Sequence, residues 1–198
     1  MARPKLHSDD AILDAARDLL VRGGPGAATT AAISSTSGAP VGSLYHRFGS
    51  RPQLLAEVWL RTVRRFQAGL LAAATSGTAM ERALAAADWT VEFALRHPAD
   101  ARLLLQARRE ELLADADLPA HVRQSLTDLN KPVIDLLRGL AADLFGAPTP
   151  ARLERLAIAV VDVPYAVVRR HLSRGTSPRV DRDLVSHAVR ALLDAPAG

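Results

Sequence analysis

Cysteine is absent from the 198 residues, which excludes a disulfide framework, a thiolate metal site and a thiol nucleophile. Aromatic residues are scarce at 4%, although apolar residues reach 48%. Alanine supplies much of that difference, and a chain rich in Ala, Leu, Arg and Glu favours helix because these side chains lose little rotamer freedom there. An apolar run long enough to span a bilayer is also missing. The most apolar stretch, Leu156 to Val168, is short and broken by Asp162 and Pro164. No apolar segment follows the charged start Arg3-Pro4-Lys5, so no signal peptide is expected. The protein is expected to be soluble and cytoplasmic, with no membrane partner. Finally, carboxylates are missing from one long window. Between Leu19 and Ala56 there is not one Asp or Glu, while Arg22, His46, Arg47 and Arg51 lie inside it. Residues 1–66 carry nine Lys/Arg against five Asp/Glu, whereas the remainder is balanced at sixteen of each. A surface that meets polyphosphate must exclude anions as well as collect cations.

What is present is helical periodicity with clear breaks. Ser8 offers an N-cap, with Asp9 and Asp10 in the first turn, where carboxylates suit the helix dipole. Ile12, Ala16, Leu19 and Leu20 recur on one face until Gly23-Gly24-Pro25-Gly26 ends the helix. Short helices are expected from Thr30 to Ser37, stopped at Gly38, and from Val41 to Arg47. A longer one opens at Arg51 or Pro52 and carries Leu54, Leu55, Val58, Thr62 and Phe66 on a stripe. Thr78 caps the next, which runs to His97-Pro98. Further helices are expected over 99–114, over 118–145 with a kink at Pro132, from Thr149-Pro150 to Leu172, and over 181–193. About nine helices with no alternating strand pattern give an all-α fold.

The segment Thr29 to Phe48 has the layout of a helix-turn-helix. Ile33 on its first helix, and Leu44 with Phe48 on its second, can bury against Leu19 and Leu20, and Gly38 permits the sharp turn between them. That core leaves Val41, Gly42, Ser43, Tyr45 and His46 on the outer side. A glycine inside a short helix costs about 1 kcal/mol relative to alanine, so Gly42 points to close approach of the backbone to a partner.

Taken together, Ile12 to Leu20, the glycine turn, Thr29-Thr30, Gly38, the block Gly42-Ser43-Leu44-Tyr45-His46-Arg47-Phe48, then Arg51 and Leu54-Leu55 resemble the DNA-binding region of TetR-type regulators over residues 12–58. The resemblance implies a helix-turn-helix domain over 1–50 and a larger helical ligand-binding and dimerisation domain over 51–198. It implies operator DNA as a partner, with Thr29, Thr30, Tyr45 and Arg51 on phosphates, Pro40, Val41, Gly42 and Ser43 facing bases beside His46, and Arg3 and Lys5 as a basic arm. Many relatives have polar side chains near positions 40 and 41. Pro40 and Val41 are apolar here, which shifts readout towards thymine methyl groups and DNA shape.

After residue 60 the likeness rests on layout. It implies a homodimer through the last two helices, for which the stripes Leu153, Leu156, Val160, Val161 and Val168, and Leu184, Val185, Val189 and Leu192, are apolar enough. It also implies a small-molecule effector, with Phe66, Trp89, Phe93, Leu104 and Tyr165 as candidate contacts and an apolar or aromatic ligand as the class. Each of these side chains is equally readable as ordinary core. No cofactor is expected. Catalysis is disfavoured: Gly23 to Gly26 follows no strand and precedes no Gly-Lys-Ser/Thr, the six histidines lack metal spacing, and no serine sits in a nucleophile elbow. The expectation is a sequence-specific regulator, a repressor released by its effector. A DNA-binding dimer without a ligand is the alternative.

Overall fold

A computed structural model describes residues 8–106, 118–177 and 181–194, and no strand occurs among them. The elements are α1 (Asp9–Ala27), α2 (Thr30–Ser37), α3 (Val41–Phe48), α4 (Arg51–Ala73), α5 (Ala79–Arg96) and α6 (Pro98–Gln106). They continue with α7 (Ala120–Asp128), α8 (Lys131–Phe145), α9 (Pro150–Ala157), a π-helical segment (Ile158–Asp162), α10 (Val163–Arg174) and α11 (Arg182–Asp194). The all-α class is as expected. Hydroxyl N-caps start several helices: Ser8 and Thr29 accept from Ala11 and Ala32 N–H at 3.1 Å each, and Thr149 does the same for Arg152 at 3.4 Å. Thr78 and Glu81 form a reciprocal capping box at the start of α5.

Three boundaries differ from expectation, each for a local reason. The glycine run does not simply end α1. Gly23 and Gly24 leave helical geometry, Gly24 at φ 67° and ψ −170°, and the chain then makes one more helical turn through Pro25. Such a backbone is open only to glycine at no steric cost. Pro132 starts a helix instead of kinking one: it lies in the first turn of α8, where its missing N–H would have had no intrahelical partner. Pro164 likewise acts upstream. It cannot donate to the ladder, and the preceding turn widens so that Val163 N–H reaches Ile158 O, five residues back. The expected helix over 99–114 is seen as far as Gln106, and its remainder lies outside the described residues.

The chain forms two compact units, one from 1–63 and 99–129, the other from 64–98 and 130–198. Helix α4 is helical throughout Arg51–Ala73 and contributes to both. In the first unit, Ile12, Ile33, Leu44, Leu54 and Val58 are fully buried in one apolar cluster with Leu103, Val122 and Leu126. A polar network crosses its surface. Arg17 of α1 reaches Asp100 of α6 at 2.9 Å, with Asp14 at 3.1 Å and Asp18 at 2.8 Å. Arg61 of α4 binds Asp10 and Asp14 at 3.0 and 2.6 Å. Asp100 is only 1% exposed, a charge that must be paired to be tolerated.

In the second unit, the small buried side chains Ala83, Ala86 and Ala87 sit along α5, which packs closely against α10 and α11. Arg182 fastens the start of α11 to α5 by a two-pronged bond to Asp88 and a 3.1 Å pair with Glu92. Its hydrogen bonds to the Asp88 carboxylate raise the guanidinium's pKa, against the opposing effect of burial.

Replacing Asp100 with alanine removes one partner of a buried pair. The expected loss is about 3 kcal/mol, at the low end for such pairs because Arg17 keeps Asp14 and Asp18. Urea denaturation checks this, and a loss within the error of the wild-type value would mean the pair is not structural.

Candidate nucleic-acid interface

The site is built on two eight-residue helices and the turn between them. Gly38 ends α2 in the left-handed conformation at φ 74°, its N–H on Ser34 O at 2.9 Å, a position that penalises any side chain with a Cβ. The turn is pinned by hydroxyls. Ser34 Oγ donates to Ala39 O and Ser37 Oγ to Ile33 O, each at 2.7 Å, while Ser37 Oγ accepts from Ala39 N–H at 3.3 Å. Ala39 and Leu44 are buried beneath it. Sequence reading missed the part played by Ser34 and Ser37, for which hydroxyls four residues and one residue before Gly38 are the only signal.

Pro40 occupies the N-cap position of α3 and supplies no side-chain acceptor. The first amides of α3 are therefore left without a capping side chain, at the positive end of the helix dipole. Around them stand exposed residues: Pro40, Val41 at 39%, Gly42, Tyr45 at 50% and His46, with Ser43 half-buried. A Cβ added at Gly42 would meet nothing within 4 Å, so no neighbour within the chain requires glycine there. On α2, Thr29 is exposed as N-cap and Thr30 is half-buried beside it. These residues thus share the exposed ends and outer face of α2 and α3, while Ile33, Leu44 and the partly buried Phe48 face the core. Arg3 and Lys5 lie outside the described residues.

Two basic residues carry structural duties. Arg47 pairs with Asp9 at 3.1 Å, tying α3 to the start of α1. Arg51, expected on phosphate, donates from Nε to Ala28 O at 2.8 Å and from its second terminal nitrogen to Pro25 O. It thereby caps the extra turn that follows Gly24.

The candidate effector residues fall into separate settings. In the second unit, the Phe66 ring meets Phe93 edge-on at 5.2 Å, Trp89 lies 6.0 Å and His97 5.2 Å from Phe93. Trp89 Nε1 donates to Phe66 O at 2.8 Å, and its indole fills the space a side chain at Gly69 would need. Leu104 packs at the edge of the first unit's core, and Tyr165 is exposed on α10.

Residues 12–58, which span this helix-turn-helix, match the family model described as bacterial regulatory proteins, tetR family. Over these residues the chain is similar to the DNA-binding region of TetR-family regulators. No curated protein matches it. Solved structures extend the likeness to the whole TetR-type fold. The fatty acid degradation regulator FadR of Bacillus halodurans is 16% identical with TM-score 0.73, covering 96% of this chain and 100% of its own. FadR of Bacillus subtilis, solved in complex with stearoyl-CoA, is 14% identical with TM-score 0.72 at the same coverage. A TetR-like regulator from Rhodococcus sp. RHA1 is 19% identical with TM-score 0.73, covering 98% and 100%. At such identities the likeness establishes the fold. Among the described residues, no helix is long and apolar enough to cross a membrane.

The double hydrogen bond of Arg51 is expected to matter for folding. Arg51→Ala leaves two carbonyls of the α1 end without their charged donor and should cost about 2 kcal/mol, read as a lower urea midpoint. An unchanged midpoint would mean that these hydrogen bonds do not hold the end of α1.

Proposed function

We propose that this chain is a TetR-family regulator that binds a near-palindromic operator as a homodimer and is released by a small apolar or aromatic effector. Residues 1–50 would be the DNA-binding head and 51–198 the effector and dimerisation body. The observation that carries DNA binding is the outer face of α3. Its amides lack a capping side chain, its side chains Val41, Tyr45 and His46 are exposed, and it lies in a window without a carboxylate. A helix start of this kind accepts a phosphate or a groove wall directly. In this reading Thr29, Thr30 and Tyr45 hold phosphates, Pro40, Val41, Gly42, Ser43 and His46 meet bases, and Arg51 adds its remaining terminal nitrogen to a phosphate while capping α1.

Dimerisation is supported by exposed apolar side chains grouped along neighbouring elements. Ile158, Val161 and Tyr165 follow one another along the π segment and α10, and Leu184 stands out on α11 at 59% exposure. Ala151, Glu154, Arg155, Ile158 and Leu192 line an open groove of about 270 Å³ beside them. A two-fold copy of these helices would bury such a face, and would set two α3 helices about one DNA turn apart, about 34–36 Å. The effector is supported by the FadR of Bacillus subtilis, solved in complex with stearoyl-CoA, and by α4, one unbroken helix from Arg51 past Phe66. A displacement of that helix would carry ligand occupancy to the head, and by linkage the ligand binds free dimer more tightly than operator-bound dimer.

Gly42→Ala and Tyr45→Ala separate stability from binding. Alanine at 42 should stabilise the free protein by up to about 1 kcal/mol and still weaken DNA binding, because the added methyl group meets only the partner. Tyr45→Ala should leave stability unchanged and lower affinity for all sequences together with the salt slope. Operator titrations at several salt concentrations measure both, and full DNA affinity in both variants would remove α3 from the interface.

The double change Val161→Arg with Leu184→Arg should give monomers in sedimentation and a loss of operator affinity. Dimers of unchanged affinity would place the interface elsewhere.

A further inference from the structure

The two tryptophans of the chain are in opposite situations. Trp89 is half-buried and its indole N–H is satisfied by Phe66 O at 2.8 Å. Trp59 is 8% exposed, lies on α4 in the first unit, and its Nε1 is buried with no hydrogen-bond partner. Buried donors are nearly always paired, and an unpaired one marks a missing water, ion or ligand. The cluster that contains Trp59 includes Leu103, Leu118, Val122, Leu126 and Leu129, with Leu104 at its edge. These side chains are hydrocarbon and can offer the indole nothing.

From this we infer that Trp59 is a ligand-reading residue, and that the effector is a compact apolar molecule bearing a neutral hydrogen-bond acceptor, such as a ketone oxygen. The inference rests on the effector reading above and moves its polar contact from the aromatic group of Trp89 to Trp59. An indole N–H donates only, so it selects an acceptor and rejects a second donor. A neutral acceptor is favoured because the other described side chains of the cluster are hydrocarbon, and a buried carboxylate needs a paired cation. Its location on α4 suits the role. Trp59 stands eight residues after Arg51, which grips the end of α1, and one turn before Val63, which packs on the same core. Thr62, the buried polar residue of that turn, has its hydroxyl hydrogen committed to Val58 O at 2.8 Å. Arg61 Nε, two residues on, is also buried without a partner, but that guanidinium is already held through its terminal nitrogens by Asp10 and Asp14. The Trp59 indole has no other polar atom.

The test uses two isosteric probes on the ¹⁵N-labelled full chain, acetophenone and α-methylstyrene, which differ by a carbonyl oxygen against a methylene group. With two tryptophans, the spectrum has two indole signals, assigned by Trp59→Phe. Acetophenone is expected to move the Trp59 signal downfield and to bind at least tenfold more tightly than α-methylstyrene, a difference of about 1.4 kcal/mol. Trp59→Phe should lose that preference while its ligand-free melting temperature stays level or rises, because the orphan donor is gone. Equal binding of the two probes, a response at Trp89 alone, or a preference retained in Trp59→Phe would each overturn the proposal. So would binding of neither probe, the result expected if a buried water alone satisfies the indole. Operator release is scored in parallel. Acetophenone bound at Trp59 without release would keep the site and remove the effector reading. Release by other apolar compounds that persists in Trp59→Phe would keep that reading and remove the site.

Discussion

Helix α3 is eight residues long, and a helix of that length does not persist alone in water, since nucleation costs more than its few internal hydrogen bonds return. Much of the first unit works to hold it. Leu44 is the one fully buried side chain on α3, and it docks into a core shared with Ile12, Ile33, Leu54 and Val58. The serines of α2 fix the turn before it, and Arg47 ties its last turn to Asp9. Supported from behind in this way, the helix can leave its outer face to residues with no structural task. An uncapped N-terminus, an interior glycine and an exposed tyrosine would each weaken an isolated helix, and here the rest of the unit offsets them.

Arg51 shows how closely support and interface are interleaved. Its guanidinium sits at the first turn of α4 and closes the end of α1 on Pro25 O and Ala28 O. The turn it closes exists because Gly24 adopts a backbone that other residues avoid. A single basic side chain therefore joins the glycine break, the end of the first helix and the start of the fourth. Removing it would disturb the scaffold of α3 as well as any phosphate contact.

The helix-turn-helix was readable because its determinants are local. Periodicity, hydroxyl caps and the glycine at 38 each act within a turn or two, and the structure places Ile33, Leu44 and Tyr45 on the sides those patterns assigned. What escaped the sequence depends on partners distant along the chain. Arg51 looks like a free cation until Ala28 O is found beside it, and Asp100 looks like a first-turn acid until Arg17 arrives from 83 residues away. Pro132 and Pro164 were visible as breaks, but whether a proline kinks a helix, starts one or widens the turn before it depends on packing. Likewise Phe66, Trp89 and Phe93 could be grouped by helical spacing, whereas the position of Tyr165 on the surface and the unpaired indole of Trp59 could not.

The contrast between the two indoles bears on how α4 works as a single element. Towards its C-terminal end the helix is closed: Gly69 admits the Trp89 ring, and Phe66 gives that ring its acceptor. Towards its N-terminal end it grips α1 through Arg51 and the aspartates of α1 through Arg61. Within that N-terminal part, between Arg51 and Arg61, lies Trp59, whose indole N–H is buried without a partner. An interaction left incomplete in the free protein and completed by a ligand gives that ligand differential affinity for one arrangement of the helix, which is the only means by which binding can shift a conformational equilibrium. A residue whose bonds are already satisfied gains less from a ligand. Trp59, in contact with the same core that supports α3, is therefore a place on α4 where occupancy would be felt by α2 and α3.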